Sequence, residues 1–289
     1  NRYTNTEDRA QALLKAGDAA FANKQFKIAR DRYEKVIAAF PSSALVPQAK
    51  LQLAECFAQL NDPGQAEEKL KELIAGGEKS PLADVAFIRI ARLKEQQGHW
   101  ELAMATYDRI VSSFSNQAVC AQALQGRGVI RYRLGMFKEA LDDFERVTRD
   151  YPQSDMTGQA LYMRGWCLYL AGRDEEAVAL CREFIAKFPD SAWAPDVIFW
   201  LGEYYFNHGN FSEAERQFSS LAEKYPDVPL ADDALFWAGR AAAEKKDYLY
   251  AVERFNELAK RYPGSPKLPE TRFAQGDVLS ELGQFAGAI

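Results

Sequence analysis

Apolar and small residues recur along this chain at fixed offsets, and the offsets are those of helices. An aromatic residue stands three positions before an alanine at Phe26 and Ala29, Trp100 and Ala103, Phe137 and Ala140, Phe211 and Ala214, Tyr248 and Ala251, and Phe285 and Ala288. Copies at Ala66 and Ala177 keep the alanine and lose the aromatic. From Ala29 to Ala288 the alanines follow one another every 37 residues, without an insertion. Four residues later comes a bulky side chain in most copies (Tyr33, Leu70, Tyr107, Phe144, Phe218, Phe255). That spacing puts alanine and bulky residue on one face of a helix. Twelve residues before each alanine the chain is small: Gly17, Ala54, Ala91, Gly128, Gly165, Gly202, Gly239 and Gly276. Glycine within a helix costs about 1 kcal/mol relative to alanine. Its repeated use predicts that a second helix approaches closely there, with the recurring alanine as the natural contact.

The punctuation between these positions completes the unit. Pro41, Pro152, Pro189, Pro226 and Pro263 stand twelve residues after the alanine, mostly behind Phe or Tyr. Proline lacks a backbone donor and clashes with the preceding turn, so a helix must end there. Two residues on, Ser43, Ser80, Ser154, Ser191 and Ser265 are favoured N-caps for the next helix. Gly98, Gly135, Gly172, Gly209 and Gly283 fall in the turn between the two helices of a pair. Each repeat therefore reads as cap, helix A, turn, helix B and proline stop. Strand-type alternation is absent, and the class is all-α.

As a set, the small residue, the alanine, the aromatic and the proline resemble the tetratricopeptide repeat (TPR) family, whose usual period is 34 residues. The extra residues here lie between the proline and the next small residue, so helix A is expected to begin about one turn early, at the serine. The resemblance spans essentially the whole chain as one solenoid over 1–289, with full repeats at 7–43, 44–80, 81–117, 118–154, 155–191, 192–228 and 229–265 and a partial eighth at 266–289. It implies a right-handed α-α superhelix that acts as a non-catalytic scaffold, with a protein or peptide partner held in a concave groove lined by the A helices. The Tyr-Pro-x-Ser form of the repeat is similar to TPR proteins of the bacterial cell envelope, such as the lipoprotein of the β-barrel assembly machinery and the Tol–Pal-associated protein. That likeness implies a periplasmic or outer-membrane-associated place, with the cytoplasm as the alternative.

Composition narrows the partners. The formal net charge is -5 and the pI about 5.4, without the basic footprint of nucleic-acid binding. No apolar run approaches the roughly 18 residues of a membrane span. The chain opens at Asn1 and stops at Ile289 in mid-motif, which reads as a fragment or a processed chain. Its two histidines, His99 and His208, fall in separate A–B turns, so neither a nucleophile–base pair nor a zinc site is expected. Glycines follow the repeat spacing and form no phosphate loop, and acidic pairs such as Asp142–Asp143 and Glu175–Glu176 suit solvated helix faces. No catalytic residue, cofactor or metal is expected. Cys56, Cys120, Cys167 and Cys181 show no C-x-x-C pairing and read as inert buried thiols. A disulfide between Cys167 and Cys181, on the two helices of one repeat, is the minor alternative. Unpaired thiols weigh against an oxidising compartment.

Carried over by position, the groove candidates of the N-terminal repeats are mixed and polar, among them Gln11, Leu14, Asp18, Gln48, Leu51, Glu55, Ile88 and Arg92. From repeat five the character turns aromatic: Tyr162, Trp166 and Tyr169, then Phe199, Glu203 and Phe206, then Phe236 and Arg240. Aromatic anchors with a few charges suit a peptide hot spot. The alternative for Tyr162, Phe199, Phe236 and Phe273, spaced by 37, is packing between neighbouring A helices. Two rival functions stay open: an arm of a larger secretion or polysaccharide-handling machine or enzyme, and a self-assembling homo-oligomeric scaffold.

Overall fold

The computed structural model describes residues 2–75 and 77–283, so Phe285 and Ala288 of the partial eighth repeat lie outside the described residues. Among those residues the chain forms fifteen helices and no strand. They run α1 (Arg2–Ala22), α2 (Phe26–Ala39), α3 (Val46–Gln59), α4 (Pro63–Ile74), α5 (Ala83–Gln96), α6 (Trp100–Ser113), α7 (Gln117–Arg133) and α8 (Phe137–Asp150). Then follow α9 (Thr157–Leu170), α10 (Asp174–Lys187), α11 (Ala194–Asn207), α12 (Phe211–Lys224), α13 (Ala231–Glu244), α14 (Tyr248–Arg261) and α15 (Leu268–Glu281). Odd-numbered helices are the A helices of the repeat and even-numbered ones the B helices. The chain divides into two compact units, Asn1–Ala160 and Leu161–Ile289, with the division inside α9.

In the first unit each helix from α1 to α7 packs on the next in the chain, and α5 also meets α7. The rings of Tyr33, Tyr107 and Phe144 are fully buried. A β-carbon added to Gly17 would sit 2.5 Å from the Tyr33 ring, and one on Gly128 would sit 2.7 Å from Phe144. The space over the glycine is thus filled by the ring four residues beyond the alanine, not by the alanine itself. The two spacings look alike in sequence, but the ring is what reaches across to helix A. A buried ionic knot adds to α6–α8: Asp143 accepts from Arg127 Nε at 3.1 Å and Arg131 Nη1 at 2.7 Å, while Arg127 also pairs with Asp108.

The second unit repeats the scheme. A β-carbon on Gly202 would lie 2.6 Å from Phe218, and one on Gly239 would lie 2.4 Å from Phe255. Repeat five departs from it, because Gly165 faces only the Cys181 sulfur, at 3.2 Å. Tyrosines tie successive repeats together: the Tyr225 hydroxyl donates to the Pro189 carbonyl at 2.6 Å and Tyr262 to that of Pro226 at 2.7 Å.

The A–B turns hold a residue in the left-handed region, φ +71° to +77° at Gly98, Gly135, Gly172, Gly209 and Gly283. Lys24, Asn61 and Lys246 take the same place at φ 59° to 63°. One residue further the amide reaches back five residues, as Met136 N–H does to the Arg131 carbonyl at 2.9 Å, which satisfies the carbonyls at the helix end.

The serines do not start helix A. Ser43 Oγ accepts from the Leu45 amide at 3.1 Å and Ser265 Oγ from that of Lys267 at 3.1 Å, while α3 begins only at Val46 and α15 at Leu268. Two consecutive reverse turns, Ser43 N–H to Phe40 O and Val46 N–H to Ser43 O, occupy the residues that separate this period from the usual one. Proline disfavours helical backbone just ahead of it, so the chain turns before it can coil. Repeats two and three lack the proline, with Glu78 and Ser115 in its place; α5 still starts at Ala83, whereas α7 does start early, with Asn116 accepting from the Val119 amide.

All four cysteines are free thiols, which corrects the disulfide alternative for Cys167 and Cys181. Burial pushes Cys56, Cys167 and Cys181 up to about 12.

Candidate peptide-binding face

Helices α9, α11, α13 and α15 carry the predicted site residues, all within the second unit. Tyr162, Phe199 and Phe236 each lean on helix B of their own repeat, at ring distances of 6.2 Å to Phe184, 5.3 Å to Phe218 and 6.2 Å to Phe255. Tyr162 also stacks on Trp193 at 5.7 Å and meets Trp166 edge-on at 6.2 Å. Trp166 and Tyr169 both touch Trp200, at 5.8 and 5.2 Å. Phe206 lies 5.2 Å from Trp237 and 5.2 Å from Phe211. The second contact is a staple across the A–B turn, matched by Phe21 with Phe26 and Tyr132 with Phe137 in the first unit.

These rings are half-buried, apart from Phe236, which is buried, and Tyr169, which is 40% exposed. Glu203 is exposed beside them. Desolvation by its surroundings and the negative charge of Asp233 hold its carboxyl above the ordinary range. Asp233 is raised as well, by desolvation against the opposing pull of Lys267. Arg240, one turn beyond Phe236, is half-buried.

Two tryptophans absent from the sequence prediction organise this face. Trp200 and Trp237 stand fourteen residues before their repeat alanines, Ala214 and Ala251. Each indole enters the slot between its own A helix and the preceding one. Trp200 closes on Trp166 and Tyr169, beside Gly165 and Cys181. Trp237 closes on Phe206 and stacks over Phe218 at 6.3 Å. The 37-residue spacing of the two tryptophans was the available signal. They sit one residue off the groove positions, which places them at the edge where neighbouring A helices meet.

Between α13 and α15 the corresponding residue is Ala274, and a cleft of about 700 Å³ stands open there. Phe236, Arg240, Ala243 and Phe255 line it, with Phe273, 76% exposed, on its other wall.

The equivalent face of the first unit is polar. Between α3 and α5 the slot residue is Arg89, ion-paired with Glu55 beside a cleft of about 240 Å³. Arg92 donates to Gln122 at 3.1 Å, and Asp18 accepts from the Tyr33 hydroxyl at 2.8 Å. Leu14 and Ile88 are buried there. His99 and His208 are exposed in their turns, and His208 stacks on Tyr204 at 4.1 Å. Among the described residues, no group of three or more His, Cys, Asp or Glu could hold a metal ion, and no helix is long and apolar enough to cross a membrane.

Comparison with known proteins agrees with this architecture. Residues 1–165 match the family model of the tetratricopeptide repeat-like domain, while 159–191 and 201–266 match tetratricopeptide repeat models. No curated protein sequence matches significantly. Among solved structures, the C-terminal part of a TPR repeat-containing protein from Cytophaga hutchinsonii aligns at 16% identity and TM-score 0.68, covering 89% of this chain and 98% of that one. A tetratricopeptide repeat protein from Parabacteroides merdae aligns at 15% identity and TM-score 0.55, covering 93% and 98%. YrrB, described as a TPR protein with an unusual peptide-binding site, aligns at 23% identity and TM-score 0.53 over 71% of this chain and 98% of its own. At these identities the likeness is one of fold. Since the first model covers more than half of the chain, the protein belongs to the tetratricopeptide repeat-like family.

Proposed function

We propose that this protein is a non-catalytic interaction scaffold that takes a peptide or protein segment on the A-helix face of its second unit. The carrying observation is the difference in character between the A-helix residues of the two units. Arg89 and Glu55 close a slot of the first unit with charge, whereas α9, α11 and α13 offer half-buried rings, an exposed Tyr169 and an open cleft beside Phe236 and Arg240. Half-buried aromatic surface with sparse charge is where binding energy concentrates at protein interfaces. A peptide-binding site named in the YrrB structure is in keeping with this reading. The Tyr-Pro-x-Ser repeat and its likeness to envelope TPR proteins support a place in a bacterial cell-envelope assembly.

The test uses the whole chain as bait in a crosslinking capture from the source cell, beside a Tyr169→Ala, Glu203→Lys, Arg240→Glu variant of equal helicity. Tyr169 and Glu203 are exposed and Arg240 half-buried, and the variant leaves the packed rings in place. A specific partner retained by the wild type and reduced at least tenfold by the variant is the expected result. Equal capture by both would overturn the assignment of this face, and capture of further copies of the chain alone would replace it with self-assembly.

A further inference from the structure

The cleft between α13 and α15 is the counterpart of two slots that the protein fills with its own indoles. Trp200 occupies the slot between α9 and α11, and Trp237 the one between α11 and α13. The residue eight before the preceding repeat alanine and the side chain four after it bound both slots, Tyr169 and Cys181 in one and Phe206 and Phe218 in the other, and Trp166, eleven before, joins the first. In the α13–α15 cleft those places hold Arg240, Ala243 and Phe255, and all three line it. Ala274 stands where the two tryptophans stand, and its methyl group leaves a cleft whose base is the buried pair Phe236 and Phe255.

We infer that this cleft is an anchor pocket for an aromatic side chain, best a tryptophan, of a partner segment that carries a basic residue beside it. Three points fix the occupant. The slot has the helical frame that seats an indole twice in this same unit. Its accessible apolar wall is Phe273, 76% exposed, above a buried base of two rings 6.2 Å apart, and a further ring packs on such a wall edge-on or offset. Its rim is acidic: Glu244, Asp277 and Glu281 outnumber Arg240 and Lys246, while Glu270 is paired with Lys267 at 3.3 Å. A cationic neighbour of the anchor is therefore attracted and an acidic one repelled. The inference rests on the peptide-binding reading above and names the chemistry that the end of that face selects.

The experiment follows the amides of α13 and α15 by NMR in the full chain during titration with N-acetyl-Lys-Trp-Lys-amide, N-acetyl-Lys-Ala-Lys-amide and N-acetyl-Glu-Trp-Glu-amide. The first peptide should shift resonances around Ala274, with the alanine peptide at least tenfold weaker and the acidic one several-fold weaker. Ala274→Trp should close the pocket and remove at least tenfold in affinity with unchanged helicity. Should that variant fail to fold, Asp277→Lys on the exposed rim should weaken the basic peptide about threefold or more. Equal binding of the alanine peptide, or full binding by a folded Ala274→Trp protein, would overturn the anchor. If partner capture depends on Tyr169 and Arg240 while no tryptophan peptide reaches Ala274, the anchor fails and the broader reading stands. If the peptide binds at Ala274 while capture ignores the face variant, the broader reading is the one that falls.

Discussion

At Gly128 one missing β-carbon decides whether two helices can meet. The Phe144 ring lies where that carbon would be, as Phe218 does at Gly202 and Phe255 at Gly239. Replacing any of these glycines by alanine should lower stability, by about 1–3 kcal/mol for an overpacked core, read as a shift in the urea midpoint. Gly165 is the internal control. Its neighbour is a sulfur at 3.2 Å, so Gly165→Ala should be near neutral, with the intrinsic helix gain of about 1 kcal/mol offsetting a small adjustment of Cys181. A uniform penalty at all four sites would refute the ring-in-glycine account. The glycines and their spacing were plain in the sequence. Their contact was misassigned to the alanine because an i, i+4 pattern identifies a helix face without saying which side chain on it reaches across.

Among elements, the link from one helix pair to the next separates this repeat from the ordinary one. The proline stop was legible, since its chemistry is local. The double turn after it was not, because a serine two residues behind a proline can cap either a helix or a reverse turn, and only the backbone path decides. The Tyr225 and Tyr262 hydroxyl bonds to the preceding repeat's proline carbonyl explain why a tyrosine stands at this link. Tyr225→Phe and Tyr262→Phe should each lower stability by about 0.5–1.5 kcal/mol, the worth of one such hydrogen bond. Thermal or urea unfolding of the two variants checks it, and no loss in either would leave the tyrosines as packing groups only. Repeat five shows a different compensation: Cys181 replaces a ring, and Tyr162, Trp166 and Trp200 surround the space. The tryptophans of the site were missed because the sequence reading searched only for residues pointing into the groove, whereas these point along the seam between A helices.

For the whole molecule, the period was readable from end to end, since helical arrays are stabilised chiefly by nearest neighbours and keep their repeat length. The site was partly readable. Its residues gather on one set of helices, but most of their area is spent on one another. The open surface lies at Tyr169, Arg240 and the α13–α15 cleft. The slots make a prediction at this scale. Removing residues 192–228 brings Trp237 into the place of Trp200, whereas removing 229–265 brings Ala274 into the place of Trp237. Both deletions preserve the 37-residue phase. Each product keeps one indole-filled slot and one slot that ends in Ala274, so the two should be alike in stability to within about 1 kcal/mol, the effect of an ordinary point change, measured by urea unfolding. A gap of several kcal/mol would mean that the two indole slots are not interchangeable. In evolutionary terms, duplication can copy this backbone freely, but each copy inherits a neighbour it must fit. A lineage built this way gains length by whole repeats while its side chains record the order in which those repeats stand.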